Sequence, residues 1–246
     1  MRSFSKVNTS KAIVLSVTSF GESDRYIQFL TQQWGVITVL AKAARKSKRR
    51  YVGGLDLFCH DEIFIKGDPK ERPYLNELVV LNCFAGIRES LGKLLTAGKW
   101  IQWTKKFANY PTPMPGIYSL LGQSLALLEK NSEQHSERLD LLFRIKFLTQ
   151  LGLQPQSRLC VQCTVELNAD CYFDLPAGGL FCEQCALLNH LKTAKLKSWE
   201  QKALSIAEQI RLTQWHVLNI FEENLSNLIN LLTQFASYHT HVRLPL

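Results

Sequence analysis

"KAIVLSVTSFGESDRYIQFLTQQWGVITVLAKA", Lys11 to Ala43, governs the interpretation of the first third of this chain. It contains three short runs rich in β-branched and aromatic residues: "KAIVLSVTS" (Lys11 to Ser19), "RYIQFLTQ" (Arg25 to Gln32) and "VITVLAKA" (Val36 to Ala43). Branching at Cβ suits a pleated backbone better than a helix. "FGESD" and "QWG" separate the runs, and both are turn sequences. Further along, "DEIFIKG" (Asp61 to Gly67) and "YLNELVVLN" (Tyr74 to Asn82) repeat the pattern, set off by "YVGG" and "GDPKERP". Five short strands in about eighty residues suit a small closed or partly open barrel such as the OB-fold. Pattern alone leaves an SH3-like barrel open as well.

From Phe84 the period changes from two to that of a helix. Leu91, Leu94, Leu95, Gly98 and Ile101 recur at helical spacing, with Trp100 and Trp103 beside the last turn. "YPTPMPG" then forms a stiff connector. Helices are expected over Ile117 to Glu129 and from about Glu137 to Leu151, the latter ended by Gly152 as C′ glycine with Pro155 just beyond. Two more amphipathic helices are expected, Ser198 to Leu212 and Val217 to Phe235. The fold class expected is therefore α+β and multidomain. A β-barrel occupies 1–82, the first part of a helical domain 83–153, a cysteine-rich insert 154–190 and the last part of the helical domain 191–246.

The 246 residues are 46% hydrophobic and 20% charged, enough to bury a core, with a formal net charge of +8. That balance favours an anionic partner, nucleic acid or an acidic protein surface. No run approaches the ~18 consecutive apolar residues of a membrane span. The N-terminal apolar run, Ala12 to Leu15, is too short for a signal peptide. A cytosolic location follows as the expectation. The odd number of cysteines, seven, fits a reducing compartment, where close pairs suggest metal before disulfide.

Four of the seven form "CVQC" (Cys160, Cys163) and "CEQC" (Cys182, Cys185), eighteen residues apart. Two residues between thiols let one tight turn aim both at a single ion, and the intervening segment can make a hairpin that brings the pairs together. Four thiolates close a tetrahedral Zn²⁺ shell and leave no position for water, so the expected zinc is structural. Cys171 and His190 are bystanders on this reading, and Cys59 and Cys83 sit in apolar strand contexts as core residues. A rival pattern is "HSE" (His135 to Glu137) followed by Cys160 and Cys163, which echoes zinc deaminases. Leu159 stands where that signature has proline, and Cys182 and Cys185 would have no role. No phosphate-binding loop or hydrolase motif is present, and an enzyme is not expected.

"AKAARKSKRRYVGG" (Ala41 to Gly54) carries six basic residues in nine, and no acid lies between Asp24 and Asp56. Charge runs are most often solvated loops. This one starts in an expected strand, so the barrel would hold it in place. Lys42, Arg45, Lys46, Lys48, Arg49 and Arg50 could follow successive phosphates without reading sequence. Tyr26, Trp34 and Tyr51 are candidates for base stacking, with a core position as the alternative for each.

"GESDR" (Gly21 to Arg25), "WGVITVLAKAARKSK" (Trp34 to Lys48), "GGLDLF" (Gly53 to Phe58), "LLFRIKFLTQLGLQP" (Leu141 to Pro155) and the two cysteine pairs together resemble the bacterial recombination-mediator family RecO, in order over about Lys11 to Ala186. The resemblance implies an N-terminal OB-fold, a helical domain and an embedded zinc-finger module. It implies a cytoplasmic, nucleoid-associated DNA repair protein without enzymatic activity. Such a protein binds single- and double-stranded DNA, anneals complementary strands and assists RecA loading onto strands coated by single-strand-binding protein. RecR and the acidic C-terminal tail of single-strand-binding protein are the implied partners, with the RecA filament an indirect one. Arg25, Lys42 and Arg45 inherit a DNA-binding expectation, whereas Lys46, Lys48, Arg49 and Arg50 rest on charge. Arg144 matches a basic helical position near the docking place of the acidic tail, the alternative being a solvated helix face. Ala43 departs from the family's frequent glycine, and "HVRLPL" lacks the usual basic ending. The competing function is a basic, zinc-containing adaptor that meets an acidic protein without touching DNA.

Overall fold

Strand β1 (Val7–Phe20) is long enough to serve two neighbours, and this closes the N-terminal sheet on itself. Its residues 7–13 pair antiparallel with β4 (His60–Lys66), and residues 12–20 pair antiparallel with β2 (Asp24–Thr31). A register shift between Val14 and Ser16 marks the changeover. The extra residue keeps Val14 and Val17 on the same inner surface although they are an odd number of positions apart. β2 pairs with β3 (Gly35–Ala41), and β4 with β5 (Tyr74–Asn82), again antiparallel. The last seam is parallel: Leu40 meets Tyr74, and the Leu40 N–H donates to the Pro73 carbonyl at 2.9 Å. The order β1-β2-β3-β5-β4 is a closed barrel, in the computed structural model that describes residues 7–47, 49–107, 112–191, 194–220 and 225–244.

The barrel interior is Ala12, Val14, Ile27, Phe29, Ile37, Val39, Ile63, Ile65 and Leu75, the inward half of each alternating run. β1 is buried on its other face too, through Ile13 and Leu15. Helix α3 (Pro115–Lys130) covers that face. A Cβ on its Gly122 would stand 3.6 Å from Ile13 Cδ1, and the Tyr118 hydroxyl lies 2.7 Å from the His60 ring nitrogen. Pro115 opens α3 at the position where a missing N–H costs nothing. Helices α1 (Ala85–Arg88) and α2 (Leu91–Phe107) complete the unit, with Trp100 and Trp103 buried. Gly35, in the β2–β3 turn, has φ +71°, and a Cβ there would strike the Thr112 carbonyl, so only glycine fits.

By contacts the chain divides into Met1–Lys130 and Asn131–Leu246. This is a coarser partition than the four segments drawn from composition, and it cuts within 83–153. The second unit is organised on α4 (Ser136–Gln150), whose Leu139, Leu141, Leu142, Phe143, Ile145, Phe147 and Leu148 are all buried. A helix apolar on every side belongs in the middle of a bundle. It ends in a Schellman motif: Gly152, at φ +73°, donates to the Thr149 carbonyl, and Leu153 donates to that of Leu148. Around it lie α6 (Ser198–Gln209), a 3₁₀ segment (Leu212–Ile220) and α7 (Ser226–Thr240). The continuous helix expected over Val217 to Phe235 is therefore not formed. The Glu137 carboxylate accepts from the Leu225 N–H and the Ser226 hydroxyl, and so starts α7 afresh. The cysteine-rich insert is a hairpin of β6 (Cys171–Asp174) and β7 (Gly179–Cys182), followed by α5 (Glu183–Leu188) and then β8 (Ala194–Leu196), which pairs with β6. Among the described residues, no helix is long and apolar enough to cross a membrane.

Asp61 of β4 is fully buried, and neither carboxylate oxygen has a hydrogen-bond partner. Burial raises its pKa from the ordinary carboxylate value to about 8. The folded chain thus keeps a proton that the unfolded chain releases near pH 4. Stability is fullest below that point and is lost as pH rises towards 8, by about 1.4 kcal/mol for each pH unit within the window. Urea unfolding followed from pH 5 to pH 8 should show a falling midpoint, and Asp61→Asn should flatten the profile.

Candidate nucleic-acid interface and metal centre

The basic run leaves β3 and is fastened to the turn before β2 by hydrogen bonds to main-chain N–H groups. The Asp24 carboxylate accepts from the Ala43 N–H at 2.8 Å and from the Ser23 hydroxyl at 3.1 Å. The Arg45 N–H donates to the Ser23 carbonyl at 3.0 Å. Lys46 and Ser47 donate back to the Ala43 carbonyl and tighten the turn. The "GESDR" and "AKAAR" blocks are therefore two halves of one local structure, and Asp24 is the side chain that joins them. Ala43 sits at φ +53°, in the left-handed region. A glycine would be unstrained there, whereas alanine pays for its Cβ.

Lys42, Arg45, Lys46, Arg49 and Arg50 are exposed, and Lys48 lies outside the described residues. The Arg50 guanidinium donates to the Lys42 carbonyl at 2.9 Å and stacks 4.9 Å from the Tyr51 ring centroid. The Lys42 ammonium lies 4.3 Å from the ring centroid of Tyr74. Arg25 is placed differently. It is half-buried and lines a cleft of about 540 Å³ with Leu15, Val17, Leu57, Gly98 and Lys105, a set that does not include Lys42.

The stacking candidates separate clearly. Tyr51 is 5% exposed and donates its hydroxyl to the Leu75 carbonyl, and Trp34 packs against the barrel core. Tyr51 is a core residue, and Trp34 is half-buried at the edge of the core. Tyr26 is half-buried against Phe20, with ring centroids 4.8 Å apart. The aromatic that sequence reasoning missed is Tyr74, 47% exposed under Lys42. Alternation could have found it: Leu75 points inward, so Tyr74 points outward, opposite Lys66 of β4. Its nearness to Lys42 depends on the β3–β5 seam, which no local pattern announces.

Cys160, Cys163, Cys182 and Cys185 come together with all four sulfurs within 4.8 Å of one another. A turn closed by the Cys160 and Thr164 backbone, with Thr164 at φ +57°, carries the first pair. The end of β7 and the first turn of α5 carry the second. The Cys163 and Cys182 sulfurs are 3.7 Å apart. Four thiolates about 2.3 Å from one ion would stand roughly 3.8 Å from each other, so the set fits a tetrahedral metal. The thiols also show why a cation suits them. Burial pushes Cys160 up, but the N–H groups of Cys163, Cys182 and Gln162 outweigh it and bring it down to about 6. Cys185 is pushed up to about 12 by burial and by the other three thiols. A second negative charge in the cluster is unfavourable until a dication balances it. Cys171 is opposite Cys182 in the hairpin, yet it is buried elsewhere and is not one of the four; neither is His190.

One expectation is corrected, and the rival pattern stays set aside. The deaminase pattern fails because Glu137 is engaged at the start of α7 and His135 packs on Trp215, 4.8 Å between ring centroids, neither of them with the four thiols. Arg144 is not a surface docking position. It is fully buried, bonded through two nitrogens to Asp140 at 3.0 and 3.1 Å, with Thr233 accepting a third bond. An acidic peptide would have to displace Asp140 inside the bundle. A helix inside a bundle has no solvated face, and for that reason the basic position did not reach the surface. Replacing the strained Ala43 by glycine should raise stability by roughly 0.5–1 kcal/mol, the left-handed penalty less the backbone entropy of glycine, read as a higher urea midpoint.

Comparison with known proteins covers most of the chain. Residues 2–84 match the family model for recombination protein O, N terminal, and residues 104–245 match that for recombination protein O, C terminal. The DNA repair protein RecO of Desulfosudis oleivorans is 32% identical over 186 residues, covering 72% of this chain and 70% of that protein. The DNA repair protein RecO of Syntrophus aciditrophicus is 31% identical over 179 residues, with 72% and 68% covered. That of Desulfatibacillum aliphaticivorans is 28% identical over 244 residues, with 94% and 91% covered. With its barrel, its helical part and its four-cysteine cluster all in the matched regions, the chain belongs to the RecO family of DNA repair proteins.

Proposed function

We propose that the protein works in DNA repair as a strand-annealing mediator, binding single- and double-stranded DNA through the basic loop of an OB-type barrel and acting without catalysis. The observation that carries this reading is the anchored loop, in which Asp24 holds exposed Lys42, Arg45, Lys46, Arg49 and Arg50 at one end of the barrel. Contacts to phosphate are sequence-tolerant, and they lower the repulsion between two backbones that must approach each other. Strong base-specific grip would oppose annealing, and a row of lysines and arginines has none. The RecR protein and the acidic tail of single-strand-binding protein are the partners on this reading, with RecA loading as the outcome. Arg144 has no part in docking the tail. Arg25 is an accessory contact from its own cleft.

Zn²⁺ is the ion that the four thiols would hold. It would supply folding energy to the insert and no reaction chemistry. Metal analysis of the purified chain should return one zinc per chain. Cys160→Ala should lose the metal and expose the insert to protease, whereas iron or no metal would overturn the assignment.

Binding of single-stranded DNA should weaken steeply with salt. About six phosphate contacts give a log–log slope of roughly −4. Arg45→Glu, Lys46→Glu and Arg49→Glu together should lower that slope by about 2 and slow annealing of complementary strands. A flat salt response would favour the adaptor for an acidic protein instead.

A further inference from the structure

Cys59 and Cys83 flank the β4–β5 ladder where it ends. The last pair is His60 opposite Asn82, so the two cysteines occupy the next opposed positions outward. Opposed antiparallel residues stand about 4.5–5.5 Å apart at Cα, inside the about 4.4–6.8 Å that a disulfide spans. The side chains agree with the backbone. Each sulfur lies 3.4 Å from the same acceptor, the Gly53 carbonyl, so the sulfurs are no farther apart than twice that distance, and the Cys83 thiol is close enough to help raise that of Cys59. The Arg88 guanidinium ties the two segments together. It donates to the Cys83 carbonyl at 2.7 Å and to the Leu57 carbonyl, and lies 3.7 Å from the Cys59 sulfur.

We propose that Cys59 and Cys83 are a modification site, a thiol pair that closes into a reversible cross-strand disulfide on reaction with a low-molecular-weight disulfide. Cys83 is partly exposed and reacts first, while Cys59 is buried. The Cys83 thiolate attacks one sulfur of the reagent RSSR, forms a mixed disulfide and releases RS⁻. Cys59 then loses its proton to solvent and its sulfur displaces the second RS⁻. Two protein thiols are oxidised to one disulfide, and one RSSR is reduced to two RSH. Burial, with Cys83 and Asp61 nearby, holds the Cys59 thiol up at about 12, so it suits the resolving position rather than first attack. Closure also removes both S–H donors from Gly53, in the segment that follows the basic run. The proposal stands independently of the DNA-binding reading.

The full chain, treated with oxidised glutathione at pH 8, alkylated and mapped by mass spectrometry, tests it. The expected result is a peptide pair linked through Cys59 and Cys83, undone by dithiothreitol, with two of the seven cysteines lost to alkylation. In Cys59→Ser the reaction should stop with glutathione on Cys83, and in Cys83→Ser no link to Cys59 should form. Wild-type protein that carries glutathione on Cys83 while Cys59 remains alkylatable would overturn the proposal. So would linkages confined to Cys160, Cys163, Cys182 and Cys185.

Discussion

The double pairing of β1 is the constraint on which the barrel and its interface depend. One strand bonds β4 with its first half and β2 with its second, and the irregularity between Val14 and Ser16 lets both halves keep their apolar side chains inward. The middle of β1, residues 12–15, is buried on both faces, its inner side by closure and its outer side where α3 covers Ile13. Closure also brings β3 beside β5, and that seam sets Lys42 above Tyr74. Without closure the loop after β3 would hang from a sheet edge, and its charges would have no fixed aromatic neighbour.

The barrel was readable because its evidence is local. Alternation and turn residues lie within each run, and all five expected strands form, with ends moved by a few residues. The four thiols were readable for the same reason: a spacing of two residues and a hairpin between the pairs are chain-local facts. What failed was whatever depends on distant partners. Arg144 reads as surface, yet inside the bundle the Asp140 carboxylate neutralises it and the Thr233 hydroxyl accepts its remaining bond. The interruption before α7 depends on Glu137, far away in sequence. The nearness of Tyr74 to Lys42 needed knowledge of the β3–β5 seam, and Tyr51 and Trp34 needed knowledge of which side of the barrel each faces.

The two units meet their polar groups in different ways. In the helical unit, Arg144 and Asp140 satisfy each other, a pair that is costly to break but contributes little net stability beside a hydrophobic equivalent. In the barrel, Asp61 has no such partner and stays protonated instead. The cysteine insert buries Leu167, Phe173 and Leu180, a small apolar set beside which its four thiols could hold a metal.

The Asp24 anchor holds its loop through the main-chain N–H of Ala43, and Ser23 holds that of Arg45. Neither bond involves a basic side chain. The charges at positions 45, 46 and 49 can therefore be exchanged one at a time without loosening the scaffold beneath them. The number of charges the loop displays is thus set separately from its shape, because the barrel and its anchor hold the main chain whatever side chains stand at those positions.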